Sequence, residues 1–247
     1  MAVSRAGGKL EAAIAHFGLG EALRGARAVD VGASTGGFTE ALLAHGAASV
    51  LAIDVGHGQL HPTLASDPRV TSLEGVDWRK LSLNQAEGPF DFFTVDVSFV
   101  AARNMLRGLA FRLRPGAEGV VLVKPQFELP DRQVKEGHVE DPNLRRRALE
   151  KVRGRAEALG FKLAGEIDSP VAGGEGSIEI LAHLVFSGRP TSLPALGERR
   201  RDEHHPRARV AERVGVLRRR EERQLVRAGA VQRCDAADGA RAVAAVR

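Results

Sequence analysis

Val29-Asp-Val-Gly-Ala-Ser-Thr-Gly-Gly-Phe-Thr39 is the stretch that carries the clearest structural signal in the chain. A β-rich run leads into glycines at positions 32, 36 and 37, and a helix-forming segment follows them. Glycines at such a turn let the backbone bend sharply and leave room for a ligand against the main chain. A strand, a ligand-binding turn and a helix are therefore predicted, with a purely structural tight turn as the alternative.

The spacing of these glycines narrows the class of ligand. It is G-x-x-x-G-G, whereas dinucleotide-binding turns have G-x-G-x-x-G, and the Lys-Ser/Thr of a P-loop is absent. An uncharged turn of small residues suits a ligand without a pyrophosphate. An NAD-dependent oxidoreductase is accordingly disfavoured, although dinucleotide and adenosyl cofactors share the layout of the surrounding strands.

Strand-like and helix-like segments alternate around this turn over residues 27–188. The alternation predicts an α/β fold, a Rossmann-like and mostly parallel seven-stranded sheet with helices on both faces. The predicted strands are 27–31, 49–54, 70–73, 90–96, 119–124, 161–168 and 177–186. The predicted helices are 9–17, 36–45, 58–65, 100–113 and 143–159, the last capped by Asp141 ahead of Pro142.

Composition divides the chain into three parts. Residues 189–247 hold 15 arginines, no lysine and no aromatic residue against 8 acidic residues, whereas residues 1–188 are slightly acidic. We expect a linker and helix over 1–26, one α/β domain over 27–188 and an Arg-rich, disordered tail over 189–247. RNA contact by the tail and an off-frame reading of the gene are the alternatives.

Composition also disfavours several classes of protein. No stretch approaches the roughly 20 apolar residues of a membrane span, and the N-terminus lacks the apolar core of a secretory signal. The single cysteine, Cys234, cannot form an internal disulfide, and no Cys/His cluster suggests a metal. We therefore expect a cytoplasmic protein without a metal site or a membrane partner.

Two aspartates follow the next two predicted strands. Asp54 ends the second strand, where a carboxylate can accept both hydroxyls of an adenosine ribose, with a cap or turn aspartate as the alternative. Asp77 follows the third strand and could bind an exocyclic adenine amine, or be merely solvated. The candidate cofactor-binding residues are Asp30, Gly32, Ala33, Ser34, Gly36, Gly37, Phe38, Asp54 and Asp77.

Charged residues near the ends of the central strands are candidates for chemistry. Asp96 ends the fourth strand and Lys124 the fifth, and open α/β sheets bind ligands at this edge. A lysine directly after GVVLV is costly to bury unless it is paired or deprotonated, so a structural Lys124–Asp96 ion pair is the alternative. Lys9 and Glu179 complete the candidate set, and each taken alone is also compatible with a surface charge.

Six stretches spread over three quarters of the chain match one family in their joint order. They are VSRAGGKLEAA, VDVGASTGGFTEALL, AIDVGHGQLHPTL, TVDVSFVAARNML, LVKPQFE and GGEGSIEIL. In these stretches the chain resembles the TlyA/FtsJ-like ribose 2′-O-methyltransferases, also known as haemolysin A-type proteins. The resemblance implies a methyltransferase domain over 27–188 and S-adenosyl-L-methionine as methyl donor. It also implies a tetrad of Lys9, Asp96, Lys124 and Glu179, with Glu175 as the alternative for the last position.

The resemblance further implies RNA, and specifically ribosomal RNA, as the partner. Methyl transfer from a sulfonium is an in-line displacement, so positioning of the acceptor oxygen supplies much of the rate. We expect Lys124 to act as general base on a ribose hydroxyl, with Asp96 orienting its amine. Lys9 and Glu179 would hold the ribose.

Other functions remain open at this point. The alternatives are a methyltransferase for a non-RNA acceptor and a non-catalytic RNA-binding or haemolysin-like protein. Members of the TlyA branch usually carry a small RNA-binding module ahead of the matching region, which starts here at Val3. We therefore expect that module to be missing and the Arg-rich tail to be a candidate substitute for phosphate binding. The sequence leaves the oligomeric state open.

Overall fold

The computed structural model describes residues 4–82, 86, 88–134, 137–173 and 176–188. The predicted Arg-rich tail over 189–247 and the alternative tetrad residue Glu175 lie outside these residues. The described chain forms a seven-stranded, mostly parallel sheet with helices on both faces. The predicted fold class is confirmed.

The bounds of most elements lie close to the predicted ones. The helices are α1 (Arg5–Phe17), α2 (Gly20–Leu23), α3 (Gly37–Ala44), α4 (Pro62–Ala65), α5 (Leu106–Ala110), α6 (Pro125–Glu128) and α7 (Pro142–Glu157). The strands are β1 (Arg27–Val31), β2 (Ser49–Ile53), β3 (Val70–Leu73), β4 (Phe90–Val95), β5 (Leu113–Val123), β6 (Phe161–Asp168) and β7 (Ile180–Phe186). Asp141 caps α7 as predicted, since its side chain accepts the backbone N–H of Asn143 at 2.8 Å. None of the helices within the described ranges is both long and apolar enough to cross a membrane.

The strand order places a ligand-binding edge at the centre of the sheet. The order is β3-β2-β1-β4-β5-β7-β6, and β7 runs opposite to the other six strands of this sheet. The chain leaves β1 toward β2 on one side and later returns to β4 on the other. The carboxyl ends of β1 and β4 therefore flank the topological switch point, where open α/β sheets bind their ligands.

The central strands direct alternate side chains into two apolar layers. Phe92 of β4 packs with α1 and α3 on one face, and Phe93 packs with α5 and α7 on the other. Leu10 and Ile14 of α1 are at most 3% exposed and belong to the first of these layers. Part of the predicted linker segment, 1–26, is thus built into the core that supports the sheet.

The helix predicted over 58–65 is helical only over α4, which begins at Pro62. A proline ring in a helix interior clashes with the preceding turn, whereas the first helical position accepts it. His61 precedes it as the cap, and its ring nitrogen accepts the N–H of Thr63. The backbone N–H groups of residues 58–60 donate instead to the carboxylate of Glu74.

The helix predicted over 100–113 is also too long: α5 begins at Leu106 and ends at Ala110, because Leu113 already pairs with Phe90 as the first residue of β5. The preceding residue, Arg112, is nearly buried, and its guanidinium donates to three backbone carbonyl oxygens. The guanidinium also lies over the Trp78 ring at 4.9 Å. These contacts fix the turn from α5 into the sheet.

Asp30, in the middle of β1, connects three elements from within the core. It is fully buried, and its two oxygens accept hydroxyl hydrogen bonds from Thr39 of α3 at 2.7 Å and Thr94 of β4 at 2.8 Å. Burial raises the pKa of this carboxyl to about 6, and the two hydrogen bonds offset only part of the effect. Asp30 was predicted to contact a cofactor, but both of its oxygens are used inside the fold. Asp30 therefore supports the switch point from within the core, by joining β1 to α3 and β4.

We predict that Asp30→Asn changes the pH dependence of stability. The folded protein holds the Asp30 proton between about pH 4 and 6, where the unfolded chain has released it. The contribution of this carboxyl to the free energy of unfolding is therefore largest below pH 4 and falls as the pH rises through 6. The stability of wild type relative to Asp30→Asn should fall by roughly 2 to 3 kcal/mol between pH 4 and 7.

Urea unfolding at several pH values measures this difference. Exposed Asp168 provides the control, since Asp168→Asn should leave the profile close to that of the wild type. Parallel stability profiles for wild type and Asp30→Asn would contradict the role of the buried carboxyl.

Candidate active site

The glycine-rich turn brings the ends of β1 and β4 into direct backbone contact. Gly32 has a φ of +91°, a left-handed conformation that favours glycine. A Cβ at this position would overlap the backbone carbonyl oxygen of Asp96. Glycine is therefore required here by conformation and by space, and the predicted turn sits at the switch point.

A second close approach joins the starts of α1 and α3. A Cβ on Gly7 would lie 3.1 Å from the carbonyl oxygen of Gly37, and a Cβ on Gly37 would lie 2.8 Å from the backbone nitrogen of Gly7. The same Cβ on Gly37 would overlap Oγ of Ser4. Two glycines thus let α1 enter the site beside the turn, which the sequence did not indicate for Gly7.

One cavity of about 160 Å³ joins the glycine-rich turn to two of the predicted catalytic residues. Its lining consists of Ser4, Ala6, Gly32, Ala33, Ser34, Thr35, Gly37, Phe38, Asp96, Ser98 and Lys124. A ligand bound in this cavity would therefore lie beside an amine and a carboxylate, which can accept or donate a proton.

The predicted catalytic residues form two ion pairs. Nζ of Lys124 lies 2.7 Å from Oδ1 of Asp96 and donates to Oγ of Ser98 at 2.9 Å. Nζ of Lys9 lies 2.5 Å from Oε2 of Glu179. The first pair lines the cavity, whereas Lys9 and Glu179 are buried, at 8% and 2% exposure.

Sheet register explains why residues so far apart in sequence meet. Val123 pairs with Ile180 across antiparallel β5 and β7, so the next position on each strand places Lys124 opposite Glu179. Parallel β4 ends beside β5, which brings Asp96 to the same edge. The four predicted residues therefore lie at one edge of the sheet.

A loop closes over the buried pair. A Cβ on Gly173 would overlap a carboxylate oxygen of Glu179, so only glycine leaves space for that side chain. The loop is held at this position by the backbone N–H of Gly173, which donates to the carbonyl oxygen of Ser177. Val171, two residues earlier, lies against Gly8 of α1. Loop and helix together bury Lys9 and Glu179.

The two aspartates predicted to bind adenosine differ in their surroundings. The Asp54 carboxylate accepts the backbone N–H groups of Ser34 at 2.9 Å and of Gly56 at 2.7 Å, which places it directly against the glycine-rich turn. Asp77 instead forms an ion pair with Arg79, and hydrogen bonds from that side chain lower the pKa of the Asp77 carboxyl. Asp77 is therefore engaged within its own turn, whereas Asp54 belongs to the rim of the site.

Two serines of the cavity were missed by the sequence reasoning. Ser98 follows Asp96 by two residues, and no pattern separated it from an ordinary loop serine. Ser4 precedes α1 in the cap position, yet its side chain makes no cap hydrogen bond. Its Oγ is buried and has no hydrogen-bond partner among the described residues. A buried hydroxyl without a partner is costly, which indicates that a ligand group completes it.

These features fit an adenosyl cofactor with an amino-acid end. The turn carries no side chain that would fill the cavity, Asp54 stands at the ribose position expected for such ligands, and Ser4 offers a free hydroxyl. Within the described part of the chain, no three His, Cys, Asp or Glu side chains are grouped so that they could hold a metal ion.

Comparison with known proteins gives a consistent result. The family model of FtsJ-like methyltransferases matches residues 2–186. The chain is 44% identical, over 74% of its length and 68% of the relative, to the 16S/23S rRNA (cytidine-2′-O)-methyltransferase TlyA of Mycobacterium tuberculosis. It is 38% identical, over 74% of its length and 77% of the relative, to Hemolysin A of Brachyspira hyodysenteriae. A solved structure from Streptococcus thermophilus, described by the word hemolysin, has a TM-score of 0.72 at 42% identity and covers 76% of this chain and 68% of its own.

The buried Lys9–Glu179 pair leads to a prediction on stability. Glu179→Leu leaves the Lys9 ammonium buried without a counter-ion and should lower the free energy of unfolding by roughly 3 to 5 kcal/mol. The double variant Lys9→Met with Glu179→Leu removes both charges and should recover most of that loss.

Denaturant unfolding of the single and double variants tests the pair. The exposed pair of Arg153 and Glu157 on α7 supplies the control, since Arg153→Ala should change stability by less than about 1 kcal/mol. A double variant as unstable as Glu179→Leu alone would show that lost packing, and not the unpaired charge, dominates.

Proposed function

The chain belongs to the FtsJ-like methyltransferases and is an S-adenosylmethionine-dependent enzyme, and from this we propose that its acceptor is a ribose 2′-hydroxyl of ribosomal RNA. The observation that carries the proposal is the single cavity shared by the glycine-rich turn and the Lys124–Asp96 pair. Donor site and proton-accepting group are then adjacent, as transfer to a hydroxyl requires. A cytoplasmic location follows from the substrate and is part of the same proposal.

The choice of RNA is supported by the relatives and by the chemistry of the edge. The Mycobacterium tuberculosis relative is named for methylation of cytidine 2′-oxygens in 16S and 23S rRNA. A ribose hydroxyl is a weak nucleophile, so a transferase acting on it benefits from a positioned base. The two lysines at the site, each paired with a carboxylate, supply charges that can position a polar acceptor.

The cofactor-binding residues that we propose surround the turn. Gly32 to Phe38 would form the backbone cradle, Asp54 would accept the ribose hydroxyls, and Ser4 would donate to the methionine carboxylate. The bound cofactor supplies an electrophilic methyl group on a sulfonium. Asp30 contributes by holding β1, β4 and α3 in register behind the cradle.

The proposed mechanism assigns one role to each member of the tetrad. Once its ammonium has lost a proton to solvent, Lys124 would take the proton of the acceptor hydroxyl at Nζ as the oxygen bonds to the methyl carbon and the methyl–sulfur bond breaks. Asp96 orients that amine through its 2.7 Å contact. Lys9 and Glu179 are expected to hold the ribose, and since they are buried beside the cavity they would do so by supporting the edge on which it lies. Positioning of acceptor and base then accounts for much of the acceleration.

We predict that Lys124→Ala abolishes transfer while the protein still binds its cofactor. Loss of a general base typically lowers the rate by about 10²- to 10⁴-fold. Tritium transfer from labelled S-adenosylmethionine into ribosomal subunits from cells lacking the gene measures the rate, and nucleoside mass spectrometry locates the methyl group. Small-molecule pools assayed in parallel test a non-RNA acceptor. A folded Lys124→Ala protein that methylates RNA at near wild-type rate would refute the mechanism.

The free hydroxyl of Ser4 generates a separate prediction on affinity. Ser4→Ala should weaken binding of S-adenosylmethionine about tenfold, because one hydrogen bond to a charged group is lost. Binding of 5′-methylthioadenosine, which lacks the amino-acid end, should stay within twofold of wild type. Isothermal titration calorimetry with both ligands measures the difference. Equal losses for the two ligands would show that Ser4 does not contact the amino-acid end.

A further inference from the structure

We propose that Ser98 is a positioning residue that fixes the direction in which the Lys124 amine accepts a proton. The inference rests on the proposed function, in which Lys124 is the base. Ser98 lines the same cavity as Lys124, and its Oγ lies 2.9 Å from Nζ. None of the sequence motifs singled out this serine.

The geometry of an amine gives the reason. Nζ of a lysine carries three substituent positions besides its carbon, and all three hold hydrogen in the ammonium form. Oγ of Ser98 accepts a hydrogen bond from one position at 2.9 Å, and Oδ1 of Asp96, the counter-ion, lies 2.7 Å from Nζ without hydrogen-bond geometry. The hydrogen that faces neither Ser98 nor Asp96 is held by the weakest attraction, so it is the one lost most readily. The resulting lone pair then points in a single direction.

The ion pair with Asp96 alone would not achieve this, because it attracts the charge of Nζ without fixing the direction of an N–H bond. Without an aligned acceptor, the amine can rotate about its Cε–Nζ bond and point its lone pair in more than one direction. The hydrogen bond to Ser98 removes that freedom. The hydroxyl of Ser98 is exposed, so its own hydrogen can be solvated by water while its oxygen accepts from Lys124.

The surrounding backbone is built to hold Ser98 in place. The next residue, Phe99, has a φ of +66°, a conformation that is unfavourable for a bulky side chain and persists only where neighbouring contacts impose it. Its ring lies 5.5 Å from the ring of Phe127, in the short helix that follows Lys124. The segments after β4 and after β5 are therefore joined at three points: Asp96–Lys124, Ser98–Lys124 and Phe99–Phe127.

A buried carboxylate anchors the same two segments further along. Glu128 is 2% exposed and forms an ion pair with Arg103, and its carboxylate also accepts the backbone N–H of Arg103. Burial raises the pKa of the Glu128 carboxyl, with the Arg103 cation opposing the effect. The segment that carries Ser98 is thus tied to the segment after β5 on both sides of Phe99.

The test compares Ser98→Ala with Ser98→Thr, because threonine keeps the hydroxyl. Ser98→Ala should lower kcat about tenfold and leave the KM for ribosomal subunits and the calorimetric affinity for S-adenosylmethionine within twofold. Ser98→Thr should restore most of the lost kcat. Ser66→Ala, whose exposed hydroxyl donates to the carbonyl oxygen of Thr63, is the matched control and should behave as wild type.

The outcomes separate this inference from the proposed function. Full kcat in Ser98→Ala, or a Ser98→Thr variant as slow as Ser98→Ala, would overturn the role of Ser98 while leaving Lys124 as the base if Lys124→Ala is inactive. A change in KM alone would also overturn it, since a positioned base acts on the chemical step. An active Lys124→Ala variant would instead end the proposed function. Thermal unfolding of each variant verifies that the fold is retained.

Discussion

Backbone contact between Gly32 and the carbonyl oxygen of Asp96 is the constraint on which the site depends. It holds the carboxyl ends of β1 and β4 together at the switch point, and the fully buried Asp30 reinforces that contact from within the core. A comparable absence of side chains, at Gly7 and Gly37, admits α1 to the same place. The cavity therefore arises because the glycines at this edge of the sheet carry no side chains that would fill it.

The two ion pairs of the edge have different physical environments. Lys9 and Glu179 are closed off by α1 and by the loop around Gly173, where each charge depends on the other. Lys124 and Asp96 line the cavity, where a ligand can compete for their polar contacts. The buried pair therefore supports the edge of the sheet, whereas the accessible pair can contact a ligand in the cavity.

Much of the fold was predictable because period and turn chemistry agree along the chain. Seven strands, the cap at Asp141 and the meeting of Asp96 and Lys124 at one edge followed from patterns in the sequence, whereas Lys9 and Glu179 were added by the family resemblance. The predicted helix bounds were wrong where a single side chain overrides the sequence pattern. Pro62 delays a helix, while Arg112 redirects the chain into β5. Sequence spacing also could not reveal that Asp30 turns inward, or that Ser98 contacts an amine 26 positions away.

The entry of α1 into the site has a mechanical consequence. Ser4 and Ala6 line the cavity, so the polypeptide passes its mouth immediately before it enters the core. Any segment joined ahead of Ser4 is tethered within a few residues of the reacting groups. Such a tether raises the local concentration of whatever that segment binds, by the arithmetic that governs linked binding modules. A substrate-binding segment joined ahead of Ser4 would therefore bring a large substrate close to this small cavity.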